Sequence, residues 1–445
     1  MHPFATYVIQ RYFQATGWND DNFYTNITRS SNAILDFDVP TGLKFAIAKS
    51  PNSLFKTSYS MTALPSLNGS VGYIFTSCDL DIKSSGNTRV KDMIDRFKVY
   101  EQPCRPEGKE QEWLAGERVD TRDYLLYGRI YVPTGRLEAL YSTRLSPTWQ
   151  TSIAAISDPR FSLQTLEKAR GGSSPSNMLF RLQHSTGKWC SEYTWSAEDQ
   201  MWGVQCMHNF GKLASSNDTP GETTKLGSRT KRVDEEDAME GGLKGRISAG
   251  AEFYFSAKEK SAGVSGGIRF TTLPDATPPS AQVPSPDGDP SFCSLPSQPP
   301  TTITAIFNPI VGHISSAYAA RVSRDLSLCS RFDFNVYSYE SEWSLGAEWW
   351  TRRKQVKSLA PPIVPDLSSP SLPLLVAPIE PPPDTILDPV QGVVKARFST
   401  TADVSVMWEG RIRNMLVSLG ITSNLSSRAK PIRAVGLELS YFSSG

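Results

Sequence analysis

Apolar and polar residues alternate along most of this chain with a period of two, broken at intervals by turn residues. The first segment is different. After Pro3, residues Phe4, Tyr7, Val8, Tyr12 and Ala15 follow the i, i+3, i+4 spacing of a short amphipathic helix, started by the proline and stopped at Gly17. From Ser31 the period of two begins, with Ala33, Leu35, Phe37 and Val39 on one face and Asn32, Asp36 and Asp38 on the other, so a first strand is expected over residues 31–39. Pro40-Thr41-Gly42 makes a turn, and Leu43, Phe45 and Ile47 resume the alternation, followed by Phe55 to Met61 and Val71 to Phe75.

The same character recurs in Tyr124 to Val132, Leu137 to Leu145, Met178 to His184, Trp189 to Trp195, Trp202 to Phe210, Ile247 to Phe255 and Val264 to Phe270. It continues through Ile314 to Val322, Phe332 to Tyr337, Trp343 to Trp349, Val394 to Phe398, Val404 to Trp408, Ile412 to Ile421 and Val435 to Phe442. The pattern predicts about 18 to 20 strands. Insertions at 211–242, with the charged stretch Lys231 to Asp237, and at 273–300 and 357–389, both rich in Pro and Ser, read as disordered. Asp79 to Arg96, Cys104 to Arg122 and Asp158 to Ser176 read as ordinary long loops, with local helix in parts of them left open. The expected organisation is therefore an N-terminal helix at 1–17 and one barrel domain over 31–442.

Alternation alone also fits a soluble sandwich. Strands of about nine or ten residues in a nearly unbroken up-and-down series favour the bilayer, because that length crosses it when tilted. Lipid leaves exposed backbone N–H and C=O groups unsatisfied, so such a sheet has to close, the first strand meeting the last. Trp189, Trp195, Trp343 and Trp349 suit an interfacial belt, and core packing is an open alternative. No apolar run reaches the roughly 18 residues of a helical span.

Composition narrows the function classes. With 39% hydrophobic and 20% charged residues the chain is expected to fold, and a net charge of +1 without a basic block gives no footprint for nucleic acid. Residues 1–16 carry neither a secretory signal nor a transit peptide pattern. Six scattered cysteines without a Cys-x-x-Cys pair point to reduced thiols, and the four histidines make no metal or acid/base pattern, so no enzyme and no cofactor is expected. Asp36 and Asp38 would share one strand face, where a hydrated lumen wall explains them better than a carboxylate pair. Tyr73 and Phe75 share a face as possible partner-docking aromatics, with plain lipid packing as the alternative.

The stretch from Ala15 to Leu43, including Gly17-Trp18-Asn19-Asp20-Asp21-Asn22-Phe23-Tyr24, resembles the N-terminus of the fungal mitochondrial distribution and morphology protein 10 family. Thr57 to Met61, Asn68 to Ser77 and the ending Gly436 to Phe442 resemble the same family. The resemblance implies a barrel of the mitochondrial porin type with about 19 strands, a helix in or near its lumen and parallel first and last strands. It implies a place in the mitochondrial outer membrane at contacts with the endoplasmic reticulum. The implied partners are other subunits of the ER–mitochondria encounter structure, the sorting and assembly machinery, subunits of the translocase of the outer membrane, and membrane lipids. A metabolite-conducting porin is the alternative.

The last strand is similar to the mitochondrial β-signal, with Gly436, Leu439 and Tyr441 in its glycine and hydrophobic positions and Ala434 departing from the polar one. Parallel pairing with a strand from Asn32 to Val39 is expected.

Overall fold

The computed structural model describes residues 3–100, 123–158, 176–211, 245–272, 299–352, 390–426 and 431–444, with a few positions between 103 and 118. Nineteen strands form one sheet. In chain order they are β1 Gly42–Ser50, β2 Phe55–Leu64, β3 Asn68–Thr76, β4 Tyr124–Val132, β5 Leu137–Ser146, β6 Trp149–Ser157, β7 Ser176–Ser185, β8 Trp189–Ser196, β9 Met201–Asn209 and β10 Gly245–Ser256. There follow β11 Ser261–Thr272, β12 Thr301–Asn308, β13 His313–Arg321, β14 Leu326–Asn335, β15 Ser341–Arg352, β16 Val390–Ser399, β17 Asp403–Ile412, β18 Met415–Asn424 and β19 Ile432–Ser444.

Each strand pairs antiparallel with the next, and β1 closes the ring by pairing parallel to β19, Gly42 beside Gly436 through Ser50 beside Ser444. Parallel closure follows from parity: in an up-and-down series of 19 strands the first and last run the same way. The closed 19-stranded sheet leaves no edge of its own for lipid to face.

The polarity of the wall is inverted relative to a soluble sheet. On β15, Trp343, Leu345 and Trp349 are 52%, 44% and 59% exposed, whereas Ser344 and Glu348 between them are 3% and 0% exposed. The greasy face of the alternation points out of the barrel and the polar face points in, which is the arrangement lipid outside requires. No helix among the described residues is long and apolar enough to cross a membrane.

Several sequence expectations are corrected. Residues 31–39 are not a strand: Arg29–Leu35 is a helix, α2, following the N-terminal helix α1, Phe4–Ala15, and the wall begins at Gly42. Ala33, Ile34 and Leu35 are all buried, as are Ser30 and Ser31, so consecutive rather than alternate residues are covered and a period-two reading does not apply. The parallel neighbour of β19 is accordingly β1 rather than Asn32 to Val39. Strands β6 and β12 were not foreseen, and Ile412 to Ile421 spans the turn between β17 and β18. The insertion at 357–389 lies outside the described residues, as do 212–242 and 273–298 of the other two. The strand ends Asn209, Thr272 and Arg352 all sit at one rim, so all three insertions leave from that rim.

Candidate functional site: a filled lumen and a parallel seam

The N-terminal segment runs down the inside of the wall. The α1 residues Tyr7, Val8 and Tyr12 pack on Ala48, Ile74, Leu125, Leu416 and Phe442, inward-facing residues at the ends of β1, β3, β4, β18 and β19. Burial pushes the Tyr12 hydroxyl above its ordinary pKa, with nearby Cys78 and Asp123 adding to the shift, so the ring stays neutral in this apolar contact.

Beyond Gly17 the chain meets one strand after another. Trp18 Nε1 donates to Gln183 Oε1 at 3.3 Å, Asn22 Nδ2 to the Gly187 carbonyl at 3.2 Å, and the Tyr24 hydroxyl lies 2.8 Å from Ser265 Oγ. Helix α2 then sets Ile34 and Leu35 against Ala319 and Cys329, and Asp36 takes a two-pronged contact from Arg331 at 2.7 and 3.0 Å. Asp36 and Asp38 therefore do not line a strand, although both border a lumenal cavity.

A second segment enters the lumen from β3. Asp79 to Arg96 does contain a short helical turn, Val90–Asp92, but it is no ordinary surface loop: Leu80, Ile82, Val90, Met93 and Ile94, with Phe97 just beyond, are buried inside the barrel. This strap, residues 77–100, is tied to the wall through its backbone. Ser85 N donates to the Phe442 carbonyl at 2.9 Å, and Arg411 donates to the carbonyls of Gly86 and Thr88 at 2.7 and 2.9 Å. Phe97 N donates to Glu348 Oε2 at 3.1 Å.

Opposite Glu348 in register stands Lys395, whose Nζ donates to the Ala33 carbonyl of α2 at 2.8 Å and to the Asp95 carbonyl of the strap. One buried ammonium thus fastens both lumenal segments to β16. Such loops and caps leave carbonyls without helical or sheet partners, and charged wall side chains supply the missing donors. A cavity of about 880 Å³ remains between the two segments, and one of about 540 Å³ between the N-terminal segment and the wall. No group of three or more His, Cys, Asp or Glu side chains placed to hold a metal lies among the described residues.

The seam carries the three residues expected to form the sorting signal. Gly436, Leu439 and Tyr441 pair with Gly42, Phe45 and Ile47. Gly436 faces the lumen, where Pro40 and Thr41 lead the chain from α2 into β1, and a Cβ there would run into the Pro40 carbonyl. A glycine at this position is therefore demanded by chain crossing alone. Tyr441 is outward and half-exposed, and Leu439 shares its face. Ala434 pairs with Thr422 on β18.

Tyr73 and Phe75 lie apart from these residues, on the outer face of β3. Tyr73 lies over Gly128 of β4, 2.9 Å from where a Cβ would stand, so its ring also shields a bare stretch of backbone. The residues that sequence reasoning missed are the inward ones that hold the lumenal segments, chiefly Arg331, Glu348, Lys395 and Arg411. Charged residues inside an otherwise alternating strand were their only signal.

A closed barrel with an odd number of strands, a parallel seam and its own N-terminus inside is the architecture that the resemblance implied. The family model for mitochondrial distribution and morphology protein 10 matches residues 1–366 and 385–444. The chain belongs to that family. It is similar to "Mitochondrial distribution and morphology protein 10" of Postia placenta, 69% identical over 458 residues, and of Laccaria bicolor, 66% identical over 450, each covering all of both chains. A more distant relative of the same name from Cryptococcus neoformans is 38% identical over 519 residues, again covering both chains in full. The chain is thus a barrel of a mitochondrial membrane, from a family of structural barrels that act in mitochondrial distribution and morphology.

Proposed function

We propose that this barrel sits in the mitochondrial outer membrane at contacts with the endoplasmic reticulum, where it anchors the tethering and phospholipid-exchange complex. In the same membrane it assists the sorting and assembly machinery in the biogenesis of β-barrels and of the translocase. Its partners on this reading are the other subunits of the ER–mitochondria encounter structure, the sorting and assembly machinery, translocase subunits and membrane lipids. The observation that carries the reading is the occupied lumen: a barrel filled by residues 3–41 and 77–100, pinned at Lys395, has its outer wall and rims left to work with. A porin requires a polar, continuous passage instead.

In this reading Gly436, Leu439 and Tyr441 form the sorting signal, offered to an assembly receptor while β19 is still an unpaired edge that can add to another sheet. Tyr73 and Phe75 form an outward aromatic pair for a neighbouring barrel or membrane helix.

The test is reconstitution and capture. Purified protein in planar bilayers is expected to conduct little, and tagged protein from gently solubilised mitochondria is expected to bring down tethering and assembly subunits. Robust metabolite conductance, with organelle contacts unchanged on deletion, would overturn the proposal. Alkaline carbonate extraction is expected to leave the protein in the membrane pellet.

A further inference from the structure

The larger lumenal cavity, about 880 Å³, lies between the N-terminal segment and the strap. Phe13, Phe97 and Val99 supply its apolar side, and besides Arg29, which pairs with Asp21, four cations, Arg96, Lys98, Arg269 and Arg321, border it. The cations interleave across two elements. Arg96 and Lys98 flank Phe97 on the strap, and the wall arginines lie over strap aromatics: Arg269 above Tyr100 at 3.8 Å and Arg321 above Phe97 at 5.8 Å.

These charges are poorly compensated. Among the described residues no carboxylate lies within ion-pairing distance of any of the four; of the two acids on the lining, Asp21 pairs with Arg29, and Asp20 accepts from the Asn26 and Gln183 amides. Arg269, only 1% exposed, has the Tyr100 hydroxyl and the Asp21 carbonyl, at 3.5 Å, as its hydrogen-bond partners, and its Nε, like that of Arg96, has no partner among the described residues. A guanidinium stacked by its face on an aromatic ring keeps its in-plane N–H donors for a ligand, and those donors match the oxygens of phosphate. A buried cation without an anion is costly, and a bound polyanion relieves that cost.

We infer that this cavity is a binding site for a phosphate-bearing small molecule, recognised through its phosphate by Arg96, Lys98, Arg269 and Arg321. The apolar side at Phe13 and Val99 accommodates a non-polar portion of the same ligand. Phosphate reaches such a site either from a soluble ester or from a phospholipid headgroup, and the experiment separates the two.

Full-length protein in phosphate-free maltoside micelles is titrated calorimetrically with pyrophosphate at constant ionic strength. One saturable site is expected, weakened at least tenfold in Arg269→Gln and in the doubly substituted Arg96→Gln, Lys98→Gln protein. On the strap Arg96 is half-buried and Lys98 exposed, so their substitution keeps the test informative if Arg269→Gln fails to fold. Native mass spectrometry of protein from membranes containing phosphatidic acid gives the second arm. Retained lipid that pyrophosphate displaces identifies a headgroup site, and pyrophosphate binding without retained lipid identifies a soluble ligand. Heat that never saturates together with no retained lipid, or binding equal to that of the unsubstituted protein in all variants, would overturn the inference.

Discussion

Replacing Lys395 with methionine isolates what holds the lumen closed. The ammonium is 2% exposed and donates to the carbonyls of Ala33 and Asp95, one on each lumenal segment, while Glu348 stands across from it at 0% exposure. Hydrogen bonds to a charged group contribute about 1.5–3 kcal/mol each, so two of them amount to roughly 3–6 kcal/mol. Relief of the desolvation of the ammonium offsets part of that loss. The net effect on docking of α2 and the strap is about 2–4 kcal/mol, which raises the undocked population roughly 30- to 700-fold at about 1.4 kcal/mol per factor of ten.

The wall itself is untouched, because methionine keeps the stem and the backbone ladder to β15 is unaffected. Hydrogen exchange on reconstituted barrels is therefore expected to accelerate at residues 29–36 and 90–97 while the strand amides stay protected. Planar bilayers are expected to record openings rare in the unsubstituted protein. Adding Glu348→Gln to the variant removes the stranded carboxylate and is expected to restore part of the docking. Unchanged exchange at both segments, with unchanged conductance, would refute the claim that Lys395 fastens them.

Three further outcomes follow from the wall and the seam. Gly436→Val sets a side chain against the Pro40 carbonyl and is expected to cost about 1–3 kcal/mol of closure. In an import assay it should slow assembly more than deletion of residues 357–389, and equal assembly of the two would contradict the role given to the seam. Leu345→Arg places a charge toward lipid near the middle of β15 and is expected to destabilise the barrel by about 2–4 kcal/mol in vesicle unfolding. The inward Ser344→Thr should leave the same unfolding curve in place. Asp36→Asn weakens the two-pronged contact with Arg331, a partly exposed pair, so exchange of α2 should quicken by no more than about 1 kcal/mol while the barrel's unfolding midpoint holds.

Most of the wall could be read from the chain because the bilayer enforces one rule at every strand, apolar outward and polar inward, and β15 obeys it from Trp343 to Trp349. The final strand was legible for the same reason, and parallel closure follows once the number of strands is odd. What escaped was governed by other rules. Along β6 the sequence Ser152-Ile153-Ala154-Ala155 puts small residues on both faces, so the contrast that marks a strand is faint. Ala33, Leu35 and Phe37 alternate as a strand would, yet Ala33 and Leu35 belong to helix α2, where Ile34 between them is equally buried. The strap gave no periodic signal at all, since its buried residues are fixed by tertiary contact and its backbone by wall arginines and Lys395.

The departures from alternation have a cause of their own. A lumen open to water needs polar side chains on the inner wall, yet Ile74, Leu125, Met207 and Val393 face inward and are 0–1% exposed. Each meets lumenal protein: Ile74 and Leu125 pack on α1, Met207 on Tyr24 and Ile27, and Val393 on Val90 and Ile94 of the strap. Ile306 of β12, a strand the alternation did not reveal, faces inward against the same Tyr24 and Ile27. Apolar residues on the inner face thus mark where the chain docks against itself, and they would be unfavourable in a conducting pore. The lapses in the pattern are therefore the sequence's own record of a filled barrel, and they separate an adaptor from a porin where the regular alternation, common to both, does not.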